Sequence, residues 1–209
     1  MIKNKSYIGI SFIVLLFGIW TIKELRERAS KSDLFTVGSV PNFELTDQNN
    51  IKISNKTYLG KVYVVEFFFS TCPSICPIMN KNMIEIQNKF IENPNFGIAS
   101  ISIDPVHDTS EKLKEHAKLL GVTSQNWHFL TGNQEYIFSL ANKGFNLYVG
   151  TNNKIQAGFE HSGLFALVDK NGKIRCRKDS SGNPTIYYDG LDKIGIKTIK
   201  EDIKILLEE

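Results

Sequence analysis

Three apolar runs along the chain predict the buried strands of a sheet. Residues 62–69 read VYVVEFFF, which is almost entirely β-branched or aromatic and lacks strict alternation, as expected of a strand buried on both faces. Residues 96–103 and the segment WHFL at 127–130 have the same character. The first run should lie at the centre of a mostly parallel sheet.

Segments with helical spacing follow each of these runs. Apolar residues recur every three or four positions over residues 75–90, and an Asn-Pro pair then ends the pattern. A second helix is predicted where Asp108 and Glu111 have capping-box spacing, and Gly121 marks its end. The segment TGNQEYIFSLANKG at residues 131–144 predicts a third helix.

Two hairpins and a last helix complete the pattern. Residues 41–53 place alternating apolar positions on both sides of a polar turn, and GLFALVD, KNGK and IRCRKD at residues 163–179 form a second hairpin. A helical stripe of Ile196, Ile199, Ile203 and Leu206 follows. This order predicts an α/β, thioredoxin-like fold, with a central mixed sheet flanked by helices and an N-terminal hairpin.

The N-terminal segment has a different character. Residues 7–22 carry no charge and have lysines on both sides. As a helix they span about 24 Å, which lies between a signal-peptide core and a membrane anchor. We expect a single N-terminal transmembrane helix, with a removed signal peptide or a buried core helix as alternatives. Residues 1–6 would then be cytoplasmic, 23–37 a linker and 38–209 the thioredoxin-like domain.

Composition and flanking charge narrow the functional classes. A net charge of +3 gives no basic face for nucleic acid, so we expect no nucleic-acid partner. Lysines before the apolar segment favour a cytoplasmic N-terminus. Because no arginine- and serine-rich leader is present, we expect a bacterial cytoplasmic membrane, with the domain on the periplasmic or extracytoplasmic side.

The motif TCPSICP at residues 71–77 is the main candidate for chemistry. It places Cys72 and Cys76 four positions apart where a central strand gives way to a helix, so amide groups and the helix dipole favour thiolate. Residues at this spacing lie about 6 Å apart, close enough for a disulfide or for joint ligation of a metal. A purely stabilising disulfide is the less favoured reading, because so short a loop removes little entropy from the unfolded chain.

Histidine is the remaining ligand type to be placed. His116 shares a helix face with leucines and His128 lies between aromatic strand residues, so both are interpreted as half-buried structural histidines. His107 follows the second strand, and His161 precedes a strand that begins at the same sheet edge if it runs antiparallel. Both of the latter can reach the cysteine loop.

Four segments in order resemble the Sco/SenC family. These are FFFSTCPSICP, SIDPVHDT, NWHFLTG and GFEHSGLFALVDKNG, spread over residues 38–208. The resemblance implies that Cys72, Cys76 and His161 bind copper, and that the protein is a copper chaperone that assists assembly of the cytochrome c oxidase copper centre. The implied partner is the copper-containing subunit of that oxidase, with other copper chaperones or thiol reductants as further partners.

Two carboxylates are candidates for supporting the site. The family usually has an aspartate before the histidine, whereas this chain has Glu160, which keeps the charge but lengthens its reach. Asp104 lies in the SIDP segment, although an aspartate before a proline is often a turn former. Pro73 and Pro77 are expected to stiffen the loop or simply to suit the first turn of a helix.

The ligand chemistry agrees with copper. Thiolates suit Cu(I), and an imidazole lets the same site hold Cu(II), whereas zinc usually takes a fourth ligand or a water. The alternative function is a membrane-tethered thiol-disulfide oxidoreductase that uses Cys72 and Cys76 as a redox pair. The C-x3-C spacing differs from the C-x-x-C of such enzymes. Cys176, on the last hairpin, is predicted to be a buried structural thiol.

Overall fold

The computed structural model describes residues 5–29, 33–152 and 158–209 of the chain, with side chains described over 9–21, 33–152 and 158–209. The chain forms two compact units. One contains residues 1–33 together with the last two residues, and the other runs from Leu34 to Leu207. The second unit carries the sheet and every candidate site residue.

The first unit contains helix α1, Lys5–Ala29. Among the described residues, none of the helices combines the length and the apolar character needed to cross a membrane. The prediction of a transmembrane helix over residues 7–22 is therefore not supported.

Three parallel strands form the centre of the second unit. They are β4 (Val62–Phe68), β5 (Phe96–Ser102) and β6 (Trp127–Thr131), with β5 between the other two. All seven residues of β4 and of β5 are buried. Burying each large apolar side chain contributes about 1.5–3 kcal/mol, so these strands supply much of the free energy of folding. The predicted central position of the VYVVEFFF run is confirmed.

Antiparallel strands extend the sheet on both sides. On one side β4 is followed by β9 (Leu164–Val168), β10 (Lys173–Lys178) and β1 (Phe35–Ser39). Two short strands pair with members of this group: β11 (Pro184–Thr185) with β10, and β12 (Tyr188–Asp189) with β9. On the other side β6 is followed by β2 (Glu44–Asp47) and β3 (Lys52–Ser54). The order β1-β10-β9-β4-β5-β6-β2-β3 is a thioredoxin-like mixed sheet, as predicted.

The remaining helices follow the predicted order. They are α2 (Cys76–Phe90), α3 (Ser110–Leu120), α4 (Gln134–Ser139), which continues into a π-helical turn at Leu140–Phe145, and α5 (Lys193–Glu208); a short 3₁₀ helix covers Asn55–Tyr58. The cap of α3 differs from the prediction. Thr109, not Asp108, accepts the hydrogen bond from Lys112 N–H, because the Asp108 side chain is turned into the protein interior.

Several strands lie where the sequence pattern indicated none. Strand β1 begins at Phe35, within the range interpreted as a tether, and helix α1 continues to Ala29 within that same range. A separate two-stranded sheet is formed by β7 (Val149–Thr151) and β8 (Phe159–His161). This small sheet matters for function because its second strand carries His161.

Candidate functional site

The cysteine loop joins the central strand β4 to helix α2. Cys72 N–H donates to the carbonyl oxygen of Phe69 at 3.2 Å, which closes a turn directly after the strand. Helix α2 begins at Cys76 with Pro77 in its first turn and without a side-chain cap. Since proline suits this position and the first N–H groups of a helix have no internal acceptor, the loop directs free amide groups toward Cys72. Pro73 and Pro77 are both exposed.

His161 faces the second cysteine from the small sheet. Its Nε2 atom lies 3.1 Å from the Sγ atom of Cys76, and its Nδ1 atom lies 3.1 Å from the carbonyl oxygen of Ser162. Because a carbonyl only accepts hydrogen bonds, this contact assigns the ring proton to Nδ1 and leaves the Nε2 lone pair toward the sulfur. The ring also packs edge-on against Phe69, at 5.8 Å between centroids.

The structure brings the three predicted ligands together. The Sγ atoms of Cys72 and Cys76 and a ring nitrogen of His161 all lie within 4.8 Å of one another. Cys72 and His161 border an open cleft of about 290 Å³, whose wall also includes Ile75, Tyr148 and Phe159. Within the described ranges, these three residues are the group of histidine, cysteine and acidic side chains close enough to hold one metal ion.

The two thiols differ in acidity. Burial opposes ionisation of Cys72, but hydrogen bonds from the N–H groups of Cys76 and Ser74, and from their side chains, outweigh it and lower the pKa of this thiol. Burial raises the pKa of the Cys76 thiol well above its ordinary value, and the charge of Cys72 adds to that effect. Burial lowers the pKa of His161, so its imidazole stays neutral and able to ligate.

The other candidates lie outside this cluster. His107 contacts Asp104 at 2.8 Å, and its side chain is 70% exposed, so this pair of the same loop does not join the cysteines. Glu160 borders the cleft beside His161, where Asn152 donates to one of its oxygens and Tyr148 O–H lies 3.5 Å from the other. Of the two candidate supporting carboxylates, only Glu160 borders the cleft that Cys72 and His161 line.

The predicted structural histidines are found as such. His116 stacks on Phe68 and lies 3.4 Å from the amide nitrogen of Asn80. His128 contacts the Asp47 carboxylate at 3.1 Å. Both are half-buried. Cys176 is fully buried in β10, as predicted.

Sequence reasoning missed a carboxylate that holds the cysteine loop. Asp108 is fully buried and accepts hydrogen bonds from the main-chain N–H of Ser70, at 3.0 Å, and from its hydroxyl. It also accepts from the hydroxyl of Ser102 at the end of β5. The available signal was the helix-cap spacing of Asp108, which is equally typical of an exposed cap.

A second missed carboxylate lies in the central strand. Glu66 is fully buried, accepts a 2.6 Å hydrogen bond from the Ser100 hydroxyl, and has a second oxygen without a hydrogen-bond partner among the described atoms. Burial raises the pKa of Glu66 to about 7, against which the Ser100 hydrogen bond acts. The charge of Glu66 also contributes to the raised pKa of Cys76.

Fold and site together define a thioredoxin-like protein in which a cysteine pair at a strand-to-helix junction faces a histidine from a separate hairpin. A model of the SCO1/SenC family matches residues 33–194, which is most of the chain. The chain therefore belongs to the SCO1/SenC family, as its motifs indicated.

Individual relatives agree with this assignment. The chain is 33% identical over 157 residues to the SCO1 protein homolog of Bacillus subtilis, covering 73% of this chain and 78% of that relative. The structure of BsSco is 29% identical in sequence, with a TM-score of 0.69, and the match covers 84% of this chain and 96% of that one. BsSco is described as a member of the Sco family of cytochrome c oxidase assembly proteins, in which a disulfide switch was identified. Yeast Sco1 with copper bound is 25% identical with a TM-score of 0.59, covering 80% and 89%.

Proposed function

We propose that this chain is a copper carrier that binds the ion through Cys72, Cys76 and His161 and delivers it to the copper-containing subunit of cytochrome c oxidase. The observation that carries the proposal is the convergence of two sulfurs and one imidazole nitrogen within 4.8 Å. These atoms come from two different parts of the fold, α2 with its preceding loop and β8.

The donor set fits copper better than zinc. Two thiolates are soft ligands that suit Cu(I), and the neutral imidazole supports Cu(II) in the same place. A structural zinc site takes four protein ligands, whereas the cluster within the described residues offers three. Glu160, the nearest carboxylate on the same strand, already accepts a hydrogen bond from Asn152.

The relatives support the choice of metal and acceptor. BsSco is described as a member of a family of cytochrome c oxidase assembly proteins, and yeast Sco1 has been solved with copper bound. Applied to this chain, these two properties indicate copper as the cargo and cytochrome c oxidase as the class of acceptor. Other copper chaperones and thiol reductants remain further partners predicted from the sequence, and the extracytoplasmic location also stays a prediction.

The arrangement of the ligands favours release to a partner. Cys72 is 8% exposed and borders the open cleft, while Cys76 is 2% exposed and lies against His161. An acceptor that enters the cleft therefore meets Cys72 first and can replace the three ligands one at a time. The lowered pKa of Cys72 favours the thiolate form of this entry ligand.

A second function is favoured by the same cysteine acidity. A thiol-disulfide oxidoreductase needs one acidic, accessible thiol and one resolving thiol nearby, which Cys72 and Cys76 provide. Copper binding and disulfide formation compete, because a Cys72–Cys76 disulfide removes both thiolates. The copper function ranks first because it also uses His161, for which thiol exchange has no need.

The binding test is a copper titration of the full-length reduced chain without oxygen. We expect one copper ion per chain, lost in Cys72→Ser/Cys76→Ser and bound about tenfold or more weakly in His161→Ala, since even outer-shell partners of a metal cost that much. His107→Ala and Cys176→Ser are matched controls, because they remove a histidine at the same sheet edge and a buried cysteine. Binding that is indifferent to His161 contradicts the three-ligand site.

The delivery test mixes the copper-loaded chain with a copper-free oxidase copper domain. Transfer should restore the absorption bands of the acceptor and leave this chain without metal. The alternative function is read in a separate assay of disulfide reduction with a thiol reductant present. Catalytic turnover there, together with no specific copper binding, would replace the carrier by the oxidoreductase.

A further inference from the structure

The π-helical turn after α4 holds the small sheet through one side chain. Asn142 donates from Nδ2 to the carbonyl oxygen of Val149 at 2.8 Å and accepts at Oδ1 from Val149 N–H at 3.1 Å. Its Nδ2 also donates to the carbonyl oxygen of Phe138 at 3.0 Å, one turn earlier in the helix. The carboxamide therefore binds both main-chain groups of one residue in β7.

That residue is the direct partner of His161. In the β7–β8 register Val149 lies opposite His161, and Ser162 N–H donates to the carbonyl oxygen of Tyr148 in the neighbouring pair. Because Ser162 and Tyr148 form a hydrogen-bonded pair and the two kinds of pair alternate, Val149 and His161 form the closer, non-hydrogen-bonded kind. The main-chain groups of Val149 then point away from β8, where Asn142 binds them. Side chains in such pairs lie on one face of the ribbon, so the buried Val149 and the imidazole project to the same side.

The small sheet requires contacts of this kind to fix its position. It is separate from the ten-stranded sheet, so main-chain ladder bonds do not tie it to the central strands. A two-stranded ribbon is marginally stable by itself. Asn142 supplies two hydrogen bonds along the outer edge of β7. These bonds link β7 to a helix that packs in the core through Ile137, Leu140 and Ala141. Widened π-helical turns of this kind occur often at functional sites.

We propose that Asn142 is a positioning residue for His161, which it holds toward the cysteine pair by fixing Val149 in the facing strand. The proposal rests on the copper function above, since it assigns a purpose to the orientation of the imidazole. Asn142 itself bonds to main-chain groups of Val149 and Phe138, so it acts on His161 through the strand. Its loss should leave the two thiolates in place and loosen only the third ligand.

A matched control is available at strand β6. Gln48 donates from Nε2 to the carbonyl oxygen of Trp127 at 3.1 Å and accepts at Oε1 from Phe129 N–H at 2.8 Å. It thus makes the same kind of two-way carboxamide contact with a strand, but with β6, which carries no ligand. Gln48→Ala therefore reports the cost of losing such a contact by itself.

The first experiment uses the copper-loaded full-length chain. In Asn142→Ala, release of Cu(I) to a chelator should be about tenfold faster, by analogy with outer-shell partners of metal sites, and the thiolate-to-Cu(II) absorption band should shift. One copper per chain should still bind. Asn142→Asp keeps the acceptor for Val149 N–H and should give an intermediate rate. Gln48→Ala should leave both the rate and the band unchanged.

The second experiment needs no metal. In the copper-free chain, the ring NMR signals of His161 should broaden or move in Asn142→Ala and stay in place in Gln48→Ala. This readout separates the two ideas, because a chain that binds no copper contradicts the carrier function while the ring signals still test the positioning. Equal effects of Asn142→Ala and Gln48→Ala on release and on the ring signals would overturn the proposal and leave Asn142 as an ordinary stabilising contact.

Discussion

Asp108 and Ser70 are joined by two hydrogen bonds, one from the main-chain N–H and one from the hydroxyl of the serine, two residues before Cys72. The carboxylate belongs to the loop before α3, and the serine follows β4. Since Asp108 also accepts from Ser102, it links the ends of two neighbouring parallel strands at the edge where the cysteine loop begins.

Replacing this carboxylate should weaken both the fold and the loop. We expect Asp108→Ala to lower the free energy of unfolding by about 2–4 kcal/mol, because it leaves buried donors unsatisfied. The measurement is urea unfolding followed by tryptophan fluorescence. Asp179→Ala is the control, since Asp179 accepts main-chain N–H groups of Ser181 and Asn183 in an exposed turn and should cost well under half as much. Equal losses in the two variants would contradict the anchoring role.

The buried Glu66 should make stability depend on pH. Its pKa in the folded protein is about 7, raised from an ordinary 4.5 by burial, so the folded chain retains a proton that the unfolded chain releases. Stability therefore falls as the pH rises through this window and stays lower above it, by about 3 kcal/mol for a shift of this size. Glu66→Gln should remove that loss.

The direction of this pH dependence is checked by urea unfolding of the wild-type chain and of Glu66→Gln at pH 5 and pH 8. The wild-type chain should lose about 2–3 kcal/mol more than Glu66→Gln between the two conditions, because the amide does not ionise. A variant with the same pH dependence as the wild type would show that Glu66 is not the responsible group.

The two site cysteines should react at different rates. Cys72 is the more exposed, and its pKa is lowered, whereas burial raises that of Cys76. At neutral pH we expect the thiol of Cys76→Ser, which retains Cys72, to be alkylated about tenfold or more faster than that of Cys72→Ser, because the thiolate is the reactive form. Intact-mass spectrometry over time gives both rates. Faster alkylation of the chain that retains Cys76 would reverse the assignment of the entry ligand.

Cys176 should be irrelevant to copper. It is fully buried in β10, opposite Phe35 of the edge strand β1. Cys176→Ala should cost about 1 kcal/mol of stability through the lost sulfur contacts and leave the copper stoichiometry unchanged. Denaturation and copper titration on the same preparation check both statements, and a reduced stoichiometry would count against the three-ligand site.

The sequence predicted those elements whose residues are buried on a regular period. Strand β4 was recognisable because its apolar residues form an unbroken run, and α2 because its buried positions recur at helical spacing. Strand β1 was missed because a short edge strand with half-exposed residues lacks such a run. The small sheet β7–β8 was missed for a related reason, since each strand has three residues and only Val149 is fully buried.

The site was predictable in part. Cys72 and Cys76 stand out by spacing, and His161 was singled out by the resemblance to a family, whereas residue chemistry left His107 equally open. Structure separates the two histidines, because His107 turns to Asp104 in its own loop. Asp108 contacts Ser70, 38 residues away, and Asn142 contacts Val149, 7 residues away. No local sequence pattern reveals either contact. Glu66 had a visible signal, a lone carboxylate in an apolar run.

The separation of the ligands along the chain links metal occupancy to folding. Cys76 and His161 are 85 residues apart, and they meet only when β8 has been placed against the start of α2. An unfolded chain would have to close that long loop at its own entropic cost, so the complete ligand set belongs to the native state. By mass action, a ligand present at a hundred times its dissociation constant stabilises such a state by about 2.7 kcal/mol. Under the proposed function, copper therefore stabilises the fold as well as being the cargo, and its transfer to an acceptor removes that stabilisation.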